Sequence, residues 1–136
     1  MGAESWSHFV PYQHNIADAL EALRQREFAQ GRYYLRGGHP PPQSIEEAVD
    51  QAGPEGTRSV IDVTSGVTPI PAPGCIFVLS RQQVIDLYGT DRPTREMIEE
   101  NQAFFNHIDR GEAICIVAYD KAGRERELFF AGYSFD

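Results

Sequence analysis

Three segments of the chain repeat apolar residues at the three- and four-residue spacing of an amphipathic α-helix, and we predict a helix in each. The segments are residues 15–31, 44–53 and 80–89. Each begins with an Asn or Ser whose side chain can accept a hydrogen bond from the first helical turn. Each ends at a Gly, which can leave a helix with a positive φ. The residues at both ends of each segment and the apolar spacing between them therefore predict the same helix.

The most regular helical pattern follows Pro93 and ends at Gly111. Met97, Phe104 and Ile108 lie on one face of this segment. A proline suits the first position of a helix because its missing N–H would have no partner there. We therefore predict a fourth helix over residues 93–111.

Apolar runs bounded by Gly, Pro, Ser or Thr predict short strands elsewhere. The segments with this pattern are residues 32–36, 58–63, 75–79, 113–119 and 125–135. The last two are joined by a turn at residues 120–124 and are interpreted as a C-terminal β-hairpin. Two proline-rich stretches, residues 37–43 and 69–74, are interpreted as loops because proline breaks both helices and central strands. His39 is expected to be a residue of the first loop.

Together these elements predict a single α+β domain that spans residues 1–136. About four helices would pack on a mainly antiparallel sheet. A chain of 136 residues has the usual size of one domain, and no repeat or linker divides it.

The net charge of the chain limits the classes of molecule that we expect it to bind. The sequence has 20 Asp and Glu residues and 12 Lys and Arg residues, which gives a formal net charge of −8. Nucleic acids and anionic membranes are bound by basic surfaces, so we expect neither as a partner. The acidic excess favours a basic protein partner instead.

The N-terminal segment and the cysteines both indicate a cytoplasmic protein. Residues 1–14 contain no Lys or Arg and no long apolar run, unlike a secretory signal peptide. No apolar stretch is long enough to span a bilayer. Cys75 and Cys115 lie inside apolar runs, which indicates two reduced, buried thiols. A disulfide between neighbouring strands is the alternative that the sequence leaves open.

Three short motifs resemble, in this order, those of the arginine-type ADP-ribosyltransferases. Arg36 ends a predicted strand, hydroxyl residues follow another in Val63-Thr64-Ser65, and two glutamates alternate in Glu125-Arg126-Glu127. The middle motif has a valine where the family has a serine. The resemblance implies an enzyme that uses NAD.

The resemblance also implies a role for each residue. Arg36 would bind the pyrophosphate of NAD through two guanidinium nitrogens, and Ser65 would support the nicotinamide-ribose pocket. Glu127 would stabilise the positive charge that develops on the ribose, and Glu125 would orient the nucleophile. The residues themselves leave an alternative: Glu125 and Glu127 begin a solvated strand, where charge prevents pairing between sheet edges.

The sequence contains no pattern typical of a metal site. The histidines are His8, His14, His39 and His107, and none has the spacing of a zinc ligand set. Glu96, Glu100 and His107 lie on one side of the predicted fourth helix, but Glu100 and His107 are about 10 Å apart along its axis. We interpret this side as a solvated face and expect no metal. The only cofactor in question is the NAD of the resemblance.

A group of aromatic residues with one arginine is typical of a contact surface, since Tyr and Arg often anchor protein interfaces. Its members are Tyr12, Tyr33, Tyr34 and Arg36. A second group consists of acids that would steer a basic partner during association. Its members are Asp91, Glu96, Glu99 and Glu100.

We therefore predict a small, acidic, non-catalytic protein-binding module of bacterial type. It is similar in size and charge to immunity proteins or small regulatory proteins. Two alternatives remain. One is a homodimer that pairs exposed sheet edges, and the other is a small ligand-binding protein or enzyme with the Arg36, Ser65 and Glu127 site.

Overall fold

Five strands form one mixed sheet in the computed structural model, which describes residues 3–38 and 40–136. The strands are β1 (Ser5–Pro11), β2 (Val67–Thr68), β3 (Ile76–Val78), β4 (Ala113–Tyr119) and β5 (Glu125–Tyr133). Their order across the sheet is β1-β5-β4-β3-β2. The pairs β1–β5 and β4–β5 are antiparallel, whereas β3–β4 and β2–β3 are parallel. The predicted α+β class and C-terminal hairpin are confirmed. The sheet is mostly antiparallel but mixed.

Four α-helices lie within the described residues. They are α1 (Ile16–Ala29), α2 (Ile45–Ala52), α3 (Arg81–Tyr88) and α4 (Arg95–Glu100). The predicted caps of the first three are confirmed, because Asn15, Ser44 and Ser80 each accept a hydrogen bond from a backbone N–H three residues later. His39, predicted to be a loop residue, lies outside the described residues. None of the helices in the described part of the chain has the length and apolar character needed to cross a membrane.

The sheet is covered on both faces, and alternate side chains of each strand point to opposite faces. On the first face, Cys115 of β4 and Phe130 of β5 pack with α1, α2 and the 3-10 helix Val60–Asp62. On the second face, Ile116 and Phe129 pack with α3, α4 and the 3-10 helix Ala103–His107. We call these the α1 face and the α4 face. Both hydrophobic cores meet at the central strands β4 and β5.

Strand β1 is absent from the sequence prediction. It pairs with β5 over its whole length, from Ser5 opposite Tyr133 to Pro11 opposite Glu127. Trp6 and Val10 pack on the α1 face, whereas Phe9 packs on the α4 face. The side chains of this segment alternate between the two faces of the sheet, as they do in any strand. The even spacing of Trp6 and Val10 is therefore the sequence signal for β1. Pairing with β5 places the N-terminal strand beside the last strand of the chain.

Two predicted strands are wrong. Residues 32–36 form no strand, although the N–H of Tyr34 donates to the carbonyl oxygen of Thr57. Residues 58–63 contain the 3-10 helix Val60–Asp62. Its first turn is capped by Ser59, while the Asp62 carboxylate accepts hydrogen bonds from the backbone and hydroxyl of Thr57. These local polar contacts hold the apolar run in a tight turn.

The predicted fourth helix is shorter than its periodicity indicates. It begins at Arg95 after the N-cap Thr94 and ends at Glu100, and a separate 3-10 helix follows at Ala103–His107. Asn101 causes the break. Its side chain donates to the carbonyl oxygen of Leu87 and accepts from the N–H of Ala103. These contacts with α3 and the next turn replace continued helical hydrogen bonding.

Candidate functional site

The residues that resemble an ADP-ribosyltransferase site lie in different parts of the fold. The N–H of Ser65 donates to the carbonyl oxygen of Gly74, and the N–H of Gly74 donates to that of Gly111, just before β4. Glu127 lies opposite Ala118, near the end of β4. At about 3.3 Å per strand residue, Ser65 and Glu127 are more than about 15 Å apart along the strands.

The two glutamates of the last motif already have partners. An Oε2 atom of Glu127 accepts a hydrogen bond from Arg95 at 3.2 Å. Glu125 accepts a hydrogen bond from Tyr12, and this bond raises the pKa of the Tyr12 hydroxyl. The structure therefore does not bring Arg36, Ser65 and Glu127 into one cleft. Their role in NAD binding stays a prediction.

Two of the predicted binding residues, Tyr34 and Arg36, do line one shallow cavity of about 310 Å³. The Tyr34 side chain is stacked under the Arg58 guanidinium, 4.2 Å from the ring centroid. Arg36 donates to the Glu55 carboxylate at 2.6 Å, and both side chains are exposed. This cavity therefore presents an ion pair beside an aromatic ring.

The other two predicted binding residues lie apart from each other. Tyr33 stacks on Phe28 near the end of α1, with 5.7 Å between ring centroids. Tyr12 follows β1, and its N–H donates to the carbonyl oxygen of Arg126. The whole length of α1, about 20 Å, separates the two tyrosines along the chain. Tyr33 and Tyr34 lie together only because they are consecutive in the sequence. Tyr12 belongs to another surface.

Both cysteines are free thiols. Cys115 is opposite Val78, whereas Cys75 lies three residues before Val78 on the neighbouring segment. Three strand residues span about 10 Å, and a disulfide joins Cα atoms at most about 7 Å apart. The predicted burial is confirmed for Cys115, but Cys75 is only half-buried. Burial also raises the pKa of the Cys115 thiol to about 12, which favours the protonated thiol over the nucleophilic thiolate.

The sequence analysis did not identify a buried carboxylate, that of Glu27 on α1. Glu27 is 2% exposed. Arg32 donates to it at 2.7 Å and Arg26 at 3.1 Å, while the Nε2 atom of His8 on β1 lies 3.8 Å away. The hydrogen bond from Arg32 lowers the pKa of Glu27 against the opposing effect of burial. Because Glu27 continues the apolar stripe of Leu23 at helical spacing, its burial had a sequence signal.

A metal site does not form among the described residues, where no group of three or more His, Cys, Asp and Glu side chains could hold an ion. Glu96 and Glu100 lie exposed on α4, and His107 belongs to the following 3-10 helix. The break at Asn101 therefore removes the helical face that the three residues were predicted to share.

A groove of about 550 Å³ lies between β1 and α4 on the α4 face. We call it the β1–α4 groove. One wall consists of Ser5, Ser7 and Phe9, and the other of Arg95, Glu99 and Gln102. The sequence analysis missed this groove because β1 itself was missed.

Aromatic rings form the floor of the β1–α4 groove. Phe9 lies 4.6 Å from Phe129, Phe129 lies 5.1 Å from Phe104, and Phe104 lies 4.7 Å from Phe105, all measured between ring centroids. Phe9 and Phe105 are only half-buried. The guanidinium of Arg95 lies 4.3 Å from the Phe9 centroid. Such rings supply large apolar contact area for a bound side chain.

The outer edge of β1 carries backbone groups that bond to no described strand. The N–H of Tyr12 donates to Arg126, and the N–H of Ser134 donates to Glu4. The backbone N–H and C=O groups of the even-numbered residues of β1 therefore point toward β5. Because hydrogen-bonding direction alternates along a strand, the backbone groups of Ser5, Ser7 and Phe9 point away from the sheet.

Helix α4, which forms one wall of the β1–α4 groove, carries three carboxylates and one guanidinium. Arg95 is the one cation of α4, and it pairs with Glu99 at 3.8 Å and with Glu127 at 3.2 Å. Glu96 and Glu100 are exposed and form no ion pair with any residue in the described ranges. Helix α4 therefore carries a net negative charge, although only Arg95 and Glu99 of its charged residues line the groove itself.

Comparisons of the chain with protein-family models, with curated proteins and with solved structures give no match.

Proposed function

We propose that this chain is a non-catalytic protein-binding module that binds a basic protein partner through the β1–α4 groove. The observation that carries the proposal is the combination of an aromatic floor, an acidic helix in one wall and an unpaired strand edge in one place. Exposed aromatic rings surrounded by polar groups are typical of protein interfaces.

The charge of α4 supports a basic partner. The carboxylates of Glu96 and Glu100 form no ion pair with any described residue, so a partner can approach them without displacing an existing ion pair. Long-range attraction between such carboxylates and a basic surface raises the association rate. In size and charge the proposed module is similar to bacterial immunity or regulatory proteins, and we expect it to bind its partner in the cytoplasm.

Site-specific photo-crosslinking tests this proposal. The photoreactive amino acid benzoylphenylalanine replaces Gln102 in the groove wall, and Ile70 provides the control position because it is 67% exposed and lies beyond β2. Each protein is irradiated in a lysate of its source cells, and adducts are identified by mass spectrometry. We expect an adduct with a basic protein at position 102 and none with that protein at position 70.

A charge-reversal variant makes the test specific. Glu96→Lys combined with Glu100→Lys should reduce the yield of the adduct at position 102, as should raising the salt well above about 0.1 M, because both remove the attraction. The proposal is contradicted if position 102 gives no adduct, if both positions capture the same protein equally, or if the yield is insensitive to charge and salt.

A further inference from the structure

We infer that the basic partner binds as an extended segment that adds a sixth strand to the sheet along the outer edge of β1. This inference rests on the proposed function and specifies how the partner enters the β1–α4 groove. In strand addition, backbone hydrogen bonds supply affinity and pockets for alternate side chains supply specificity.

The backbone of β1 fits this role over most of its seven residues. Ser5, Ser7 and Phe9 each direct an N–H and a C=O toward solvent, and Pro11 directs only a C=O because it has no N–H. An incoming strand can therefore form a regular ladder along Ser5, Ser7 and Phe9, and Pro11 ends it.

The two edges of the sheet differ in the way that this inference requires. At the other edge, β2 has two residues and leads into Pro69, Pro71 and Pro73. Short edge strands and prolines prevent pairing with another chain. By contrast, β1 contains no Lys, Arg, Asp or Glu, and it pairs with β5 without a register shift. Only β1 therefore retains an edge suited to pairing among the described strands.

The surroundings of β1 predict the side-chain pattern of the incoming segment. A strand about 4.8 Å beyond β1 would direct alternate side chains to the α4 face, next to the aromatic floor and Glu99. Apolar side chains suit the positions over the aromatic floor, where the guanidinium of Arg95 already lies over Phe9. A basic side chain suits a position that reaches the carboxylates of α4. On the α1 face, Arg26 lines a cavity with Val10 and Pro11, which disfavours Lys or Arg there. The segment would thus alternate between apolar or basic residues and small polar ones.

A second copy of this chain is a poorer occupant of the same edge. Antiparallel pairing of two β1 strands would be related by a two-fold axis perpendicular to the sheet, so both α4 helices would lie on the same face. The exposed carboxylates of Glu96, Glu99 and Glu100 in the two copies would then lie on the same face of the joined sheet. Like charges in this arrangement disfavour association, whereas a basic segment neutralises them.

Peptide selection followed by edge-blocking substitutions tests the inference. Dodecapeptides from a random display library are selected on the immobilised protein, and the affinities of the enriched peptides are measured. We expect alternating sequences with Lys or Arg at every second or fourth position. Ser7→Pro removes the outward N–H without removing a hydrogen bond to β5, and Ser7→Lys places a charge on the edge. Each should weaken binding by at least about tenfold, or about 1.4 kcal/mol.

The matched control is Ser65→Lys, which makes the same substitution at an exposed serine next to the other edge of the sheet. It should leave the affinity unchanged. Amide hydrogen exchange gives a second measurement: the N–H groups of Ser7 and Phe9 should exchange more slowly with peptide bound, whereas that of Trp6 is already bonded to β5 and should change little.

Several results would overturn strand addition. They are enrichment of no binding peptide, equal affinities for Ser7→Pro, Ser7→Lys and Ser65→Lys, or unchanged exchange at Ser7 and Phe9 in a saturated complex. Protection of these amides by self-association without peptide would identify a second copy as the occupant instead. The yield of adducts at position 102 could still depend on the α4 charges while both Ser7 variants bind the selected peptides with native affinity. That result would support a basic partner and contradict strand addition.

Discussion

Arg32 donates hydrogen bonds from both Nε and Nη2 to the carboxylate of Glu27, with 2.7 Å between Nη2 and Oε2. Glu27 is almost fully buried under β1, whereas the Arg32 side chain is half exposed. A carboxylate in such a place remains charged only because cationic donors offset its lost hydration. The pair therefore fastens the C-terminal end of α1 to the chain that follows it, behind the proposed binding edge.

We predict that Glu27→Gln lowers the free energy of unfolding by about 1–3 kcal/mol at neutral pH, because the guanidinium groups lose a charged acceptor. Urea unfolding measures the change. Glu21→Gln is the matched control on the same helix, where an exposed carboxylate accepts bonds from Arg24 and Gln25. An exposed pair contributes little, so the control should stay within about 0.5 kcal/mol of the native protein. Equal effects of the two substitutions would contradict the structural role of Glu27.

The stabilisation from Glu27 should also depend on pH. Hydrogen bonding lowers its pKa in the folded protein below the ordinary value of 4.5. A lowered carboxyl pKa stabilises the fold above the unfolded pKa, and this contribution is lost as the pH falls through the folded pKa. The difference between native protein and Glu27→Gln should therefore shrink on acidification below about pH 4.5. A constant difference in urea titrations at pH 7 and pH 3.5 would contradict this assignment.

His8 gives a second pH dependence in a higher range. Burial lowers its pKa from the ordinary value of 6.5, against the opposing effect of Glu27 and with the help of Arg26 and Arg32. The unfolded chain thus binds the proton more tightly than the folded protein, so stability falls as the pH drops below 6.5. We predict that His8→Gln flattens the stability profile between pH 7 and pH 5. His14→Gln, at an exposed position, is the control and should keep the native slope.

The helices and the hairpin could be predicted because local chemistry and tertiary packing agree there. In α3, for example, Ser80 and Gln83 cap each other's backbone at the residue where the apolar spacing begins, so no distant contact is needed to define the start. The hairpin similarly combines two apolar runs with a polar turn. In such segments propensity, capping and burial point to the same structure.

The failed predictions occur where a hydrogen bond made by a polar side chain overrides the apolar pattern around it. Periodicity continues from α4 through Phe104, but Asn101 bonds to Leu87 on α3 and ends the helix. The run from Val60 to Val63 has strand-like composition, yet the Asp62 carboxylate draws it back to Thr57. A single sequence does not encode these partners as a spacing, because the residues meet only after folding.

The candidate site was predictable only in part. Tyr34 and Arg36 share a cavity and are near neighbours in sequence, so their proximity follows from the chain itself. The β1–α4 groove depends instead on which strand lies at the sheet edge, and this follows from the pairing of Ser5 with Tyr133. A pairing over such a sequence distance has no local signature, although the alternation within β1 is visible.

Close packing around Gly132 on β5 gives a fourth prediction. A Cβ atom at this position would lie 2.6 Å from a Trp6 ring atom, 2.7 Å from the Ala113 Cβ and 2.9 Å from a backbone oxygen. Strands on both sides would have to move, so Gly132→Ala should lower the free energy of unfolding by about 1–3 kcal/mol. Gly37→Ala is the control because a Cβ there would meet no atom within 4 Å. A Gly132→Ala protein as stable as the control would show that β1 does not pair closely with β5.

The two thiols give a prediction about accessibility. Cys115 is fully buried on β4 and its pKa is raised to about 12, whereas Cys75 is half-buried just before β3. Alkylation by iodoacetamide requires an accessible thiolate, so we expect the folded protein to be labelled at Cys75 and not at Cys115. Mass spectrometry after brief labelling at about pH 8 measures both sites, and Cys75→Ser should abolish labelling until the protein is unfolded. Rapid labelling of Cys115 in the folded protein would mean that β4 separates readily from its neighbouring strands. A sheet whose central strand separates in this way could not support regular hydrogen bonding between β1 and an incoming strand.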